Sequence, residues 1–325
     1  MTGALGSAPI AAQPAHPSPP AGDIAPAIEN LEPSRGAGTY PVFTSTDLRA
    51  GSANARQALI IIHGRLRNAS DYYATGLAIV TAAGAAGEAT VVIAPQFLSE
   101  ADAAAHHLPD SDLRWSRGWE EGAPARKSAL AASSDPPASS YDVLDDIVAK
   151  LSHVQAFPSL RSIVFVGHGG GAQMLARYAV VMRPQPGPTV SFVIANAGTY
   201  LYPMTARPVP LPCPDSNRWK YGLDQPPPYV RDTGAILKDF AARDITLLLG
   251  SKDRKTTGIL DQSCAAQSQG RNRLERGRNF VRELTASGID PLVKYLIVPG
   301  VGHNEKDMLL SSQAIAAIFS GNAAR

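Results

Sequence analysis

The residues with the most chemical content run from Ile163 to Gln173. There Ile163-Val164-Phe165-Val166 leads into Gly167-His168-Gly169-Gly170-Gly171, followed by Ala172-Gln173. A buried strand, a glycine turn and a helix start are expected in that order, and two kinds of site are built on such an order. Gly167, Gly169 and Ala172 match G-x-G-x-x-G/A, the turn that seats a pyrophosphate on a helix N-terminus. That site needs an Asp or Glu about 20 residues on to hold a ribose hydroxyl. No Asp or Glu occurs from Gln173 through Pro214, so the dinucleotide reading fails. The second match is the nucleophile elbow G-x-S-x-G, with Gly167 and Gly171 flanking, His168 between, and Gly169 where serine is expected. An elbow forces its central residue to positive φ, which glycine accepts without a Cβ clash. The turn can persist without its hydroxyl.

Other residues able to do chemistry sit just after short apolar runs. Ala58–Ile62 ends at His63-Gly64, with Arg65 and Arg67 following. Leu247-Leu248-Leu249 leads to Gly250-Ser251-Lys252-Asp253, and Val298-Pro299-Gly300-Val301-Gly302 leads to His303. The paired His106-His107 lacks metal-ligand spacing, so no metal site is expected. Ser70, Ser116 and Ser251 lie at no elbow, and none is a candidate nucleophile.

The elements that must position these residues follow from the apolar pattern. Buried strands are expected at Ala58–Ile62, Thr90–Ala94, Ile163–Val166, Val190–Ala195, Ile245–Leu249 and Leu292–Val298. Helices are expected at about Asp71–Ala83, Tyr141–Phe157 (Ser140 as N-cap), Asn272–Ser287 and Glu305–Phe319. Continuous apolar strands alternating with helices predict an α/β fold, a mostly parallel sheet covered on both faces.

The chain has 325 residues, 44% hydrophobic and 18% charged, enough apolar content for a full core. Its net charge of +2 excludes a dedicated nucleic-acid binder, and no apolar run reaches the roughly 18 residues of a membrane span. Residues 1–40 are rich in Pro, Ala, Gly and Ser and read as a disordered leader, with the ordered domain spanning 41–325. Between the strands ending at Ala195 and starting at Ile245, residues 198–244 carry Pro203, Pro208, Pro210, Pro212, Pro214 and Pro226-Pro227-Pro228. Loops this long inside a domain are usually functional, and Trp219 and Tyr221 suggest an ordered flap that contacts substrate. Cys213 and Cys264, the only cysteines, flank the Ile245 strand and are expected to pair. Pairing favours a secreted or periplasmic address, free thiols a cytoplasmic one.

Taken together, the elbow, the His63-Gly64 turn, the Asp253 loop and the His303 loop resemble the α/β-hydrolase superfamily in chain order and in placement at strand ends. The resemblance spans roughly Tyr40 to Phe319. It implies an α/β-hydrolase fold with a Pro-rich flap, and an esterase-like serine hydrolase acting on a small ester-type substrate without cofactor. It makes Asp253 the triad acid, with Asp261 as rival, and His303 the triad base. It places oxyanion-hole amides at Arg65 and Gly170, and a substrate-binding role falls to Arg67. Gly169 departs from the family pattern, so two readings stay open: a hydrolase lacking its nucleophile, or a non-catalytic binding protein that keeps the pocket.

Overall fold

A computed structural model describes residues 19–132, 134–230, 234–289 and 292–320. Its centre is an eight-stranded sheet in the order β1-β2-β4-β3-β5-β6-β7-β8. The strands are β1 (Ala27–Asn30), β2 (Thr39–Thr44), β3 (Gln57–Ile62), β4 (Thr90–Pro95), β5 (Ser162–His168), β6 (Thr189–Ala195), β7 (Asp244–Gly250) and β8 (Leu292–Val298). β1 and β2 pair antiparallel, as do β2 and β4, and every later pairing is parallel. The helices are α1 (Ala69–Ala82), α2 (Glu100–Ala105), α3 (Ser140–Leu151), α4 (Gly170–Val181), α5 (Ile236–Ala241), α6 (Cys264–Gln267), α7 (Arg273–Ala286), α8 (Glu305–Leu309) and α9 (Ser312–Phe319).

Strand side chains alternate between two cores, as a period of two requires. Ile60, Ile62, Phe165, Phe192, Leu247 and Leu249 face the core that contains α3, α4 and α7. Their neighbours Leu59, Ile61, Val164, Val166, Val193 and Leu248 face α1, α8 and α9. Both faces of the parallel strands are thus covered, which explains why they read as unbroken apolar runs.

Three expectations are corrected. Residues 1–18 of the expected leader lie outside the described residues, but residues 19–40 belong to the fold. The Ala21 N–H donates to Asp102 Oδ1 at 2.7 Å, the Ala25 N–H to Gln96 Oε1 at 2.9 Å, and β1 and β2 extend the sheet. Composition missed this because the segment is held by carboxylate and amide side chains far along the chain rather than by an apolar face of its own. The helix expected over Tyr141–Phe157 stops at Leu151, is capped by Ser139 rather than Ser140, and leaves Val154 exposed. The helix expected over Glu305–Phe319 divides into α8 and α9, because the Ser311 side chain accepts from the Ala314 N–H and starts a new helix.

Between β6 and α5 there is no helix or strand among the described residues. Cys213 and Cys264 form a disulfide, Cα–Cα 5.7 Å, which fastens this connection to α6. No described helix is long and apolar enough to cross a membrane.

Candidate active site at the strand ends

β5 delivers its C-terminus to Gly169, which adopts φ 58° and ψ −109°, and α4 begins at the next residue. The Gly169 N–H donates to Ala195 O at 3.1 Å and its carbonyl accepts from Gln173 N–H at 3.0 Å, fixing the turn between β6 and the first turn of α4. Gly171 must be glycine for a different reason: a Cβ there would overlap the carbonyl oxygen of Ile62. Strand-to-helix reversal at this spot therefore needs one residue tolerant of positive φ and one with no side chain, as an elbow does.

His303, on the loop after β8, faces the turn. A Cβ placed on Gly169 would lie 3.3 Å from His303 Nε2 and 3.6 Å from Cε1, and among the described residues would meet no other atom within 4 Å outside its chain neighbours. On the other side of the ring, Nδ1 is 2.8 Å from Asp253 Oδ2. A buried carboxylate at that distance accepts from Nδ1–H, which leaves the Nε2 lone pair aimed at residue 169. Asp253 is 1% exposed and its second oxygen lies 3.4 Å from an Arg273 guanidinium nitrogen. The acid loop and the histidine loop are stitched together by backbone. Lys252 N–H donates to Val301 O (2.8 Å), Ser251 N–H to Val298 O (3.1 Å), and Gly300 N–H to Ser251 Oγ (2.9 Å).

The rival acid is engaged elsewhere. Asp261 Oδ2 accepts from Tyr221 Oη at 2.6 Å, and Oδ1 accepts from Ser263 N–H at 3.0 Å. Burial raises its pKa, but Lys220 and these hydrogen bonds prevail and bring it down to about 2.

Arg65 follows the turn after β3. An ideal Cβ on Gly170 would sit 3.0 Å from Arg65 N, so the turn after β3 packs directly against the residue that follows Gly169. Among the described residues the Arg65 N–H has no acceptor, and the Gly170 N–H opens α4, where no intrahelical acceptor exists. His63 holds the turn that presents Arg65. Its Nε2 accepts from Phe97 N–H at 3.0 Å, so the proton sits on Nδ1 and is donated to Gly64 O at 2.8 Å. Complete burial pushes the His63 pKa down to about 4, so the ring stays neutral. His168 is likewise held neutral, first by burial and then by His303, whose ring lies 4.5 Å away centroid to centroid.

Three residues expected at the substrate have their polar atoms engaged within the protein. Arg67, expected at the substrate, donates Nε to Asp102 Oδ2 (2.5 Å), one terminal nitrogen to Asp102 Oδ1 (3.0 Å) and Pro19 O (2.6 Å), and the other to Arg65 O (3.0 Å). Its guanidinium is a buried clamp on the N-terminal segment, satisfied without a ligand. Trp219 gives its indole N–H to Glu121 O at 2.8 Å, and Tyr221 gives its hydroxyl to Asp261. Both spend their polar atoms attaching the long connection to the body.

One residue escaped sequence reasoning. Asn196, at the tip of β6 with φ 50°, is fully buried. Its Oδ1 accepts from Gly250 N–H at 2.9 Å and its Nδ2 donates to Gly302 O at 2.9 Å, with His168 Nε2 3.5 Å away. It therefore joins the acid loop to the histidine loop. The only sequence signal was an Asn directly after an apolar strand, a residue type that tolerates left-handed backbone. No cluster of three or more His, Cys, Asp or Glu able to hold a metal occurs among the described residues.

No family model matches the chain, and no curated protein matches it. Solved structures do. The poly(3-hydroxybutyrate) depolymerase LpqC from Bordetella parapertussis is 21% identical over 90% of this chain and 88% of its own, with a TM-score of 0.62. Poly(aspartic acid) hydrolase-1 from Sphingomonas sp. KT-1 is 19% identical over 86% and 94%, with a TM-score of 0.61. The Pyrococcus furiosus esterase Pf2001 is 13% identical over 93% and 97%, with a TM-score of 0.50. At such identities the likeness speaks for architecture, and it agrees with the sheet order and the elbow: the chain has the α/β-hydrolase fold.

Proposed function

We propose that this site is built for hydrolysis of carboxylic-ester-type bonds and that Gly169 closes the acyl-enzyme route. The observation that carries the reading is the position of His303 Nε2, 3.3 Å from where a Cβ on residue 169 would stand, with Asp253 behind the ring at 2.8 Å. A serine hydroxyl one bond further out would come within hydrogen-bond reach of that nitrogen. The amides of Arg65 and Gly170 supply donors for a tetrahedral oxyanion, and being backbone groups they need no substitution to act. Arg65 itself, 45% exposed and 3.3 Å from Glu120, stands at the rim, while Gly198 and Thr199 pack on Gln173, one turn beyond Gly169. The start of the long connection thus forms a side wall, and a small acyl or ester group entering past Arg65 would meet it.

Gly169→Ser should confer hydrolysis of a short-chain chromogenic ester, and adding His303→Ala should remove the gain. Steady-state rates for the chain as it stands, Gly169→Ser, and Gly169→Ser/His303→Ala test this. Serine at φ 58° costs on the order of 1 kcal/mol of backbone strain, small against the gain in nucleophilicity. Equal rates for the three folded proteins would leave the second reading, favoured by Gly169 itself: a binding protein that holds an acyl ligand without turning it over.

A further inference from the structure

We propose that the His303–Asp253 pair acts directly on water, so that the chain as it stands cleaves esters by single displacement, without a covalent intermediate. This rests on the ester-site reading above. It starts from what surrounds the Cβ position of Gly169. Among the described residues, only the imidazole edge of His303 comes within 4 Å of it, at 3.3 and 3.6 Å, apart from the glycine's own chain neighbours. The Cβ position itself is therefore unfilled, and the side of it that is walled carries the Nε2 edge of His303.

Three features keep the Nε2 lone pair available. The Asp253 carboxylate takes the proton on Nδ1, so Nε2 is the free acceptor. His168, whose ring lies tilted against that of His303 at 4.5 Å between centroids, is neutral and places no positive charge beside it. Asn196 anchors the carbonyl of Gly302, the residue before His303, and so holds the ring over residue 169. Arg65 N packs against the Gly170 position, the residue next to Gly169, so the backbone donors of the proposed oxyanion hole lie one residue from the position that faces the base.

The step balances on water and ester alone. The water oxygen attacks the acyl carbon while its proton passes to His303 Nε2. The carbonyl oxygen becomes an oxyanion held by the Arg65 and Gly170 N–H groups. Collapse breaks the bond to the alkoxy oxygen, and Nε2–H returns the proton to that oxygen, leaving a carboxylic acid, an alcohol and neutral His303. Nothing becomes attached to the protein.

The test uses p-nitrophenyl acetate with the full chain, His303→Gln, Asp253→Asn and Gly169→Ser, each checked for folding by circular dichroism. The expected result is hydrolysis about 10³-fold above the buffer rate, the residue typically left when a triad nucleophile is missing. That rate should fall at least tenfold in His303→Gln and in Asp253→Asn. It should resist a fluorophosphonate that silences Gly169→Ser, because residue 169 offers no hydroxyl to phosphonylate; the same resistance excludes a contaminating serine hydrolase. Intact-protein mass spectra during turnover should show acetylated Gly169→Ser and unmodified parent chain. Parent and His303→Gln rates that coincide, or an acetylated parent chain, would overturn the proposal. Gain of activity in Gly169→Ser with no His303-dependent rate in the parent defeats this inference alone; failure of both defeats the ester-site reading with it.

Discussion

The strand ends and the long connection between β6 and α5 lie side by side and are held by opposite means. At the strand ends, order comes from the backbone. Parallel ladders fix β5 to β8, and loop-to-loop N–H···O=C bonds carry that order out to Asp253 and His303. The connection has no ladder; scattered backbone bonds such as Tyr202 N–H to Tyr221 O and Trp219 N–H to Asp224 O hold it, and arginines take further carbonyls in and around it. Arg177 donates to Lys220 O and Glu120 O as well as to Thr199 Oγ1. Arg207 reaches Met204 O, Ser216 O and Tyr221 O, and Arg276 reaches Gly198 O and Asp261 O. Burial lowers the pKa of both Arg207 and Arg276 to about 10, which still leaves them charged at neutral pH. A Pro-rich chain with few backbone pairs of its own can still be ordered if long donors come to its carbonyls. On the reading proposed above, the reacting groups belong to the first region and the second is chiefly attached to it.

The most damaging single change should fall on Asn196, because its fully buried side chain bonds the acid loop and the histidine loop at once. Asn196→Ala leaves the Gly250 N–H and the Gly302 carbonyl without their partner and keeps a left-handed backbone, costing about 4 kcal/mol of stability. In the Gly169→Ser background, displacement of His303 should lower kcat about 100-fold with a smaller change in KM. Asn196→Gly, which removes the strain but not the lost bonds, should recover stability in part and kcat hardly at all. Recovery of both together would mean that backbone strain, not the tie, positions the loops.

Breaking the disulfide should do the reverse. Cys213→Ser/Cys264→Ser opens a loop with a sequence separation of 51 and should cost up to about 4 kcal/mol in denaturant unfolding. With chemistry confined to the strand ends, kcat in the Gly169→Ser background should stay within about threefold, an allowance well below the effect of misplacing a reacting group. A hundredfold drop would show that the connection positions the reacting groups as well as walling the site, and that the division drawn above is wrong.

The two regions also differ in how much of them a reader of the sequence could see. The elbow, Arg65, Asp253 and His303 were legible because each follows an apolar run that can only be a buried strand, and strand ends converge. Asp253 was preferred to Asp261 from the sequence, and the fold adds what engages the rival: Tyr221 and Lys220 occupy Asp261. Arg67 looked like a site residue because it is two positions from Arg65, but its partner Asp102 is 35 residues away and buried with it. Asn196 was invisible for a related reason: its partners are backbone atoms 54 and 106 residues distant, which no local pattern encodes. The ordering of residues 19–40 was hidden the same way, by side chains of Gln96 and Asp102 that composition cannot connect to it.

A smaller effect separates the regions by pH. The strand-end region keeps two buried neutral histidines, His63 and His168, whereas the connection is held chiefly by arginines and a disulfide, with Tyr229 bonded to Asp145. For His63, burial is the main cause of a pKa near 4 against an ordinary 6.5. The unfolded chain therefore binds a proton at higher pH than the folded one does. Its contribution to stability is complete above about pH 6.5 and is lost as pH falls toward 4. Asp145 works against this, since burial raises its carboxyl to about 6 from 3.8, and its contribution grows on acidification through the same window. Comparing two proteins that share Asp145 and His168 removes both. His63→Gln can still offer a donor to Gly64 O and an acceptor to Phe97 N–H but cannot take up a proton. Between pH 7 and pH 5 the parent should lose about 2 kcal/mol more stability than His63→Gln, read from urea midpoints at the two pH values. Parallel losses would mean that His63 is not the group that makes the strand-end region acid-sensitive.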